Sequence, residues 1–539
     1  METMVSKTSV LLLISYFLLV LPSYPQSIRD TLRKCICNDT ILHFPNDPSF
    51  EPILEYTISN LRLVNHSNPK PLAIITPLNY SHVQTSVVCA KKIGVQVRVR
   101  SGGHDYEGMS YTSTYCVPFL LVDLVNLTSV IVDVETEKKT AWVQGGATNG
   151  QLYYWIDSKT QDYGFPGGIC PSVGLTGLIT GGGVGYLTRK YGLAADNVID
   201  ALIVDVKGQL LNREKMGEDI FWAIRGGGAA SFGVIVAWKL QLVPIPRIVT
   251  CFNASRSLEQ GAITLIEKSQ LACSIINENL RMRIEISTKN QDTKVTFSSV
   301  FLGKADELLN TLEKSIPELK LTKGEYKEMS WIESVMYFYY PPGEPKEALR
   351  DRKPIPSFKS HFKYKSDFVV TPLTNDVIKQ LWRKSLENEN FHLVMFSHGG
   401  KVNRIHENET PFPFRKGILY DIEYMMEWKE DDLETAKKHI FWVRRVYKYM
   451  AKYVLQNPRG AYSNFRDFDL GINDIYGGTY EEAARTWGVK YFNNNLQRLA
   501  IVKGKVDPEN FFALEQTVPP LILLPEIGRE KVTSATAAT

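Results

Sequence analysis

Residues 164–200, GFPGGICPSVGLTGLITGGGVGYLTRKYGLAADNVID, constrain this chain more than any other stretch. Nine glycines precede Tyr186, and Cys170 is set among small residues. Glycine this dense is used where backbone passes close to something or takes φ > 0. Free N–H groups at such bends form concave sites for anions, phosphates included. A single Gly-rich loop is often only a turn. Two more stretches change the weight: RSGGHDYEG at 100–108 and RGGGAASFG at 225–233. Each of the three follows an apolar β-like run, which predicts one large ligand gripped in several places.

The runs around these loops read as strands and short helices. Strands are expected at 95–99, 119–124, 129–134, 140–143, 201–206, 210–211 and 234–242, helices at 81–93 and 149–159. The run 219–224, DIFWAI, leads into the third loop as its β-like segment. Composition shifts at Pro244 and Pro246. From 247 to 464, strands (281–287, 295–301) alternate with charged helices (304–315, 433–454), which reads as a sheet covered by helices on one side. A helix over 479–499 and a turn-rich return at 506–513 follow. There is no internal repeat.

Residues 1–25 have the form of a secretory signal: Lys7, an apolar run at 10–21, then small and turn residues. The apolar run is short for a membrane span, and no later stretch is long enough. Six N-x-[ST] triplets, headed by Asn38, Asn65, Asn79, Asn126, Asn253 and Asn408, suit a secreted glycoprotein of the apoplast or vacuole. The seven cysteines are an odd number, which leaves at least one unpaired in an oxidising compartment. A net charge of +4 gives no case for nucleic acid.

Several chemistries lack their residues. No Cys-x-x-Cys or His-x-x-x-His pair supports zinc, no Gly-x-Ser-x-Gly elbow supports serine hydrolysis, and no Walker loop is present. His104, straight after a strand, reads on its own as a hydrogen-bonded turn histidine or as a ligand contact. Cys170 reads as an inert thiol, a disulfide half or a bonded thiol.

Taken together, RSGGHDYEG, FPGGICPSVG, GGGVG, RKYGLAADNVIDA, GEDIFWAIRGGGAASFG, YFNNN and VDPENFF resemble the berberine bridge enzyme-like family of plant flavoproteins. The match runs over nearly the whole mature chain. Within the family the chain is similar to branches of specialised metabolism: cannabinoid and alkaloid oxidases and mulberry-type Diels–Alderases. The resemblance implies an α+β, two-domain PCMH-type FAD-binding fold. Its FAD part would span 26–245 with a C-terminal return at 465–525, its substrate part 246–464, and 526–539 would be a disordered tail. It implies FAD bonded to His104 and Cys170, so that Cys170 is the odd cysteine, and an N-terminal disulfide from Cys35 or Cys37 to Cys89. Flavin contacts would come from Arg100, Ser101, Gly102, Gly103, Asp105, Val173, Gly174, Thr180, Gly181, Gly182, Gly183, Gly185, Val234 and Asn493. A small residue at Val173 would admit molecular oxygen, favouring an oxidase. A monomer is expected, with a small-molecule substrate and oxygen as partners and no metal.

On the substrate side, Glu423 aligns with the general base of the alkaloid-cyclising members. A buried carboxylate beside a flavin takes a phenol proton when its pKa is raised. Asp421 shares Glu423's strand face and Tyr424 takes the other. Arg281, Arg283 and Glu285 alternate on one face of a second strand, fit to clamp phenolates or carboxylates, or else a solvated face. Phe396 and His398 fall on a third pocket strand. Two departures stand out. Phe465 replaces a tyrosine base of cannabinoid-type cyclases. Leu175-Thr176-Gly177-Leu178 replaces Val-Gly-Gly-His, with Val184 where relatives carry Phe or Tyr.

The expected activity is FAD-dependent oxidation of a phenolic, alkaloid or terpenoid–phenol substrate, with cyclisation or coupling and hydrogen peroxide release. One alternative is a redox-neutral Diels–Alderase that keeps FAD for structure. Another is a carbohydrate or monolignol oxidase.

Overall fold

The computed structural model describes residues 24–64, 68–354 and 359–523. Most of the expected signal segment, the sequon residue Asn65 and the 526–539 tail lie outside them. A four-stranded sheet has the order Leu42–His43, Ala73–Ile75, Phe119–Asp123, Gln96–Arg100. Its two strand pairs around Phe119–Asp123 are parallel, and that central strand is buried along its whole length, as parallel strands covered on both faces are. Helix Tyr80–Ile93 makes the crossover. Asn79 caps its start by accepting from His82 N, and Gly94, at φ 69°, ends it.

The buried face of that helix carries Val83, Val87 and Cys89. Cys89 is bonded to Cys35 of helix Tyr24–Ile36, with Cα atoms 6.1 Å apart. Cys37 lies beyond that helix's end, in a left-handed turn at φ 54° and exposed to solvent, so it cannot be the partner. The other five cysteines are unpaired, Cys170 among them. It is therefore one of five free thiols and not a single odd one.

A second, antiparallel sheet runs Val130–Asp133, Thr140–Gln144, Val234–Gln241, Val198–Val204, Leu210–Leu211. The third is a seven-stranded antiparallel sheet: Tyr326–Met329, Val249–Arg256, Asp292–Phe301, Arg283–Lys289, Phe391–Ser397, Tyr420–Trp428, His361–Val369. Side chains alternate across it with period two. Ile284, Ile286, Leu393, Met395, Ile422, Tyr424 and Met426 share a core with helices Ala262–Ile275, Asn375–Glu387 and Leu433–Met450. The opposite face is left to line a cavity.

Three expected elements differ. The run 219–224 belongs to helix Arg213–Ile224, capped by Asn212, so the third Gly-rich loop follows a helix. Phe221, Trp222, Ala223 and Ile224 are buried together, and a short apolar run of that kind does not separate strand from helix. The helix expected over 479–499 is three, Tyr480–Arg485, Gly488–Phe492 and Asn495–Val506. Thr486 (ψ −97°) and Asn493 (φ 45°) break it. Arg281 precedes the strand that begins at Arg283. Among the described residues no helix is long and apolar enough to cross a membrane.

Candidate active site

The loop after strand Gln96–Arg100 meets the loop at 170–174 backbone to backbone. A Cβ on Gly102 would fall on the amide of Gly174, and one on Gly174 on the amide of Gly102. Only glycine permits that approach, and it brings His104 and Cys170 into the wall of one cavity of about 450 Å³, a size typical of ligand pockets. Further ties fix the loops. Ser101 Oγ donates to Gly145 O (2.7 Å) and Thr176 Oγ1 to the same oxygen (2.8 Å). Trp238 Nε1 donates to Thr176 Oγ1 (3.1 Å). Arg352, from a distant loop, donates to Ser101 O (2.7 Å) and to Gly146 O.

His104 Nδ1 lies 3.3 Å from Ser59 Oγ, while its buried Nε2 has no partner among the described residues. Burial pushes its pKa down to about 4, so the imidazole is neutral. Burial also raises the Cys170 thiol, against the pull of Ser172 hydrogen bonding.

Ser101, Gly102, Gly103, Asp105, Val173, Gly174, Thr180 and Gly181 line the cavity with them. Six expected contacts do not. Arg100 is buried beneath its loop, donating to Ile53 O (2.6 Å) and Asp123 Oδ2 (2.7 Å). Gly182 packs on the Phe412 ring, Gly183 on Ala194 and Gly185 on Gly167 O. Val234 is a buried strand residue; its neighbours Gly233 and Ile235 reach the cavity instead. Asn493 ends a helix, while Tyr491 and Phe492 line the wall.

The opposite wall is the free face of the seven-stranded sheet. Strand register sets two rungs side by side: Arg283, Phe396, Asp421 and Glu285, Val394, Glu423. Arg283, Phe396, Val394, Asp421 and Glu423 line the cavity, as does Arg281. Glu285 and His398 stand behind. Glu285 accepts from Arg283 Nη1 (2.6 Å) and lies 2.9 Å from His392 Nδ1. His398 Nε2 lies 2.8 Å from Asp421 Oδ1, which also accepts from Arg281 Nη2 (3.1 Å).

The two carboxyls differ sharply. Burial pushes Glu423 up to about 8, helped by Asp421 and opposed by a hydrogen bond from Tyr106 Oη (3.1 Å). Asp421 is equally buried, yet His398 and Arg281 hold it below the usual carboxylate range. Neighbouring acids driven apart in this way are suited to different tasks. Tyr106 was the residue that motif reading passed over. It lies two positions beyond His104, inside RSGGHDYEG, and that proximity was the available signal. Phe465 stacks on Tyr106, centroids 5.6 Å apart and 9° from parallel.

An unpartnered buried nitrogen at His104, a cradle that a Cβ would fill, and a cavity reaching Gly228 and Gly233 fit a flavin dinucleotide. The family model "FAD binding domain" matches residues 71–213, and "Berberine and berberine like" matches 461–519. O-acetylstemmadenine oxidase of Catharanthus roseus is 44% identical, with 97% of this chain and 100% of that protein covered. The chain belongs to the berberine bridge enzyme-like family. Tetrahydroberberine oxidase of Berberis wilsoniae is 46% identical over 90% of this chain and 92% of its own length. The solved structure of BBE-like #28 from Arabidopsis thaliana superposes with a TM-score of 0.86 at 43% identity, covering 91% of this chain and 100% of that one. Membership makes the chain an FAD-linked oxidoreductase of the two-domain α+β PCMH-type fold.

Proposed function

We propose that the chain is an oxidase of plant specialised metabolism acting on a phenolic, alkaloid or terpenoid–phenol substrate. FAD is bonded twice, through His104 and Cys170. When bound, FAD would supply a hydride acceptor for a substrate C–H bond, with molecular oxygen as the final electron acceptor and hydrogen peroxide as its product. The chain's own residues do the rest. Glu423 takes the substrate's proton at Oε1 or Oε2, the deprotonated carboxylate acting as base. Tyr106 orients it. Asp421, held ionised by Arg281 and His398, keeps a second proton off the pair and raises Glu423. Val173, at the cavity wall, leaves room for oxygen. Aromatic rings of Phe362, Tyr364 and Phe465 exclude water around the reacting centre.

The observation that carries this reading is one carboxyl, raised to about 8, in the same cavity as the His104–Cys170 loops. Named relatives that are alkaloid oxidases support it. The cycloaddition and the carbohydrate or monolignol alternatives are not favoured. Two of the departures have packing explanations: Phe465 stacks on Tyr106, and Thr176 joins Trp238 to Gly145. We retain the division at 26–245, 246–464 and 465–525. We also retain secretion, with the sequon residues Asn79, Asn126, Asn253 and Asn408 exposed and Asn38 half-buried.

The test is purified holoenzyme. Its yellow colour should survive acid precipitation, bleach with substrate under nitrogen, and return with oxygen uptake. Flavin freed entirely by acid would remove both tethers. Product formed from a ready-made diene without oxygen uptake would remove the oxidase.

A further inference from the structure

Arg281 and Arg283 are unusual lining for a pocket that handles apolar aromatic molecules. Arg281 is 2% exposed and Arg283 half-buried, and both face the cavity that holds Glu423. Each guanidinium carries five N–H donors. Among the described residues, Arg281 donates one hydrogen bond, to Asp421, and Arg283 one, to Glu285. The remaining donors of neither group are among the buried atoms left without a partner. They therefore open onto the cavity. The Phe396 ring lies between the two, 4.6 Å from Arg281 Cζ and 5.9 Å from Arg283 Cζ, and holds both in place.

Two carboxylates stand beside this pair, one against each arginine, and each is shared with a second donor. Asp421 is shared between Arg281 and His398, and Glu285 between Arg283 and His392. His392 is raised by its bond to Glu285, against burial, so Glu285 is engaged from two sides behind the wall. Glu423, the other acid in reach, is neutral around pH 7. Tyr186 is close enough to both arginines for its hydroxyl to be influenced by them, though burial dominates and keeps it protonated. The result is a fork of unused, desolvated guanidinium N–H donors beside a stack of aromatic rings, which is the geometry that recognises a carboxylate.

We infer that the substrate is an aromatic acid, its carboxylate held by Arg281 and Arg283 while its phenol end reaches Glu423. This rests on the oxidase reading above and narrows it: a protonated amine is the wrong partner for this wall.

The experiment is binding to the holoenzyme, read from the perturbed flavin absorbance under nitrogen at pH 7. The compounds are ferulate, its methyl ester and tyramine. Ferulate should bind about tenfold more tightly than the ester, and tyramine should not displace it. Arg283→Gln should collapse the acid-to-ester ratio towards one, and Arg283→Lys should restore part of it. Arg281→Gln leaves Asp421 without one of its partners and is read only if it keeps the wild-type flavin spectrum. The wild-type comparison needs no variant. Equal or weaker binding of the acid, or an unchanged ratio in Arg283→Gln, overturns the inference. Failure here and failure of the oxidase reading are separable. Oxygen uptake with a neutral or cationic substrate alone sinks the acid preference. Tight ferulate binding without oxygen uptake from any aromatic acid sinks the oxidase.

Discussion

The two walls of the cavity are built on opposite principles. The flavin-side wall is backbone: Gly102 meets Gly174 amide to amide, a contact closed to any side chain. The sheet-side wall is side chain, two rungs of charged and aromatic residues set by strand register. A backbone wall is unforgiving and local, so it writes itself into sequence as dense glycine. A side-chain wall tolerates change, and specificity is free to vary there.

The largest effect should come from adding one methyl to the backbone wall. Gly102→Ala forces apart the loops carrying His104 and Cys170, at roughly 4 kcal/mol or more, and should yield colourless or insoluble protein. Gly177, in helix Leu175–Thr180, lines the same cavity, yet a Cβ added there would meet nothing within 4 Å. Gly177→Ala should change thermal stability by no more than about 1 kcal/mol, and any loss should appear in flavin content. If both variants behave alike, the glycines serve the ligand and not the fold.

On the other wall, Glu423→Gln should lower kcat by about 10²–10⁴-fold while flavin content is unchanged. Wild-type kcat/KM should rise with pH and level off above about 8, because the base must first lose its proton. A profile flat from about pH 6 to about pH 9 would assign proton removal elsewhere.

How much of this was legible follows from the same contrast. The Gly-rich loops, with His104 and Cys170 in them, were readable because close backbone approach demands glycine at each position, however far apart in the chain the two loops lie. The Asp421–His398 and Glu285–His392 pairs were not, since only the register of non-adjacent segments decides which polar side chains meet. Tyr106 reaches Glu423 across 317 positions, and Arg352 reaches Ser101 across 251. No spacing rule spans such distances. The helix at Arg213–Ile224 was missed because its buried residues Phe221–Ile224 are consecutive, and a run of four shows no period.

Arg352 ties the flavin-side loops together from behind, and breaking it should have an intermediate effect. It is buried, and its guanidinium holds two carbonyls of the flavin-side loops, Ser101 O and Gly146 O. Arg352→Gln should cost about 1–3 kcal/mol and increase the fraction of flavin released by acid. An unchanged covalent fraction would show that the glycine contacts alone position His104.

The smallest change from one pH unit to the next is the most diagnostic of burial at Glu423. Its carboxyl titrates near 8 in the folded chain against 4.5 in its ordinary state. The folded state thus holds a proton that the unfolded chain releases. That contribution is complete below about 4.5, declines as pH rises, and is gone once pH has passed about 8. The loss is about 1.4 kcal/mol per pH unit in between. Glu423→Gln carries no such proton, so its stability relative to wild type should climb across this window and then level off. Paired thermal melts should show Tm differences shifting by roughly 2 °C per pH unit towards the glutamine variant. A difference that stays constant from about pH 5 to about pH 8 would mean that water reaches the carboxyl, and the sheet-side wall would then be wet around its base rather than dry.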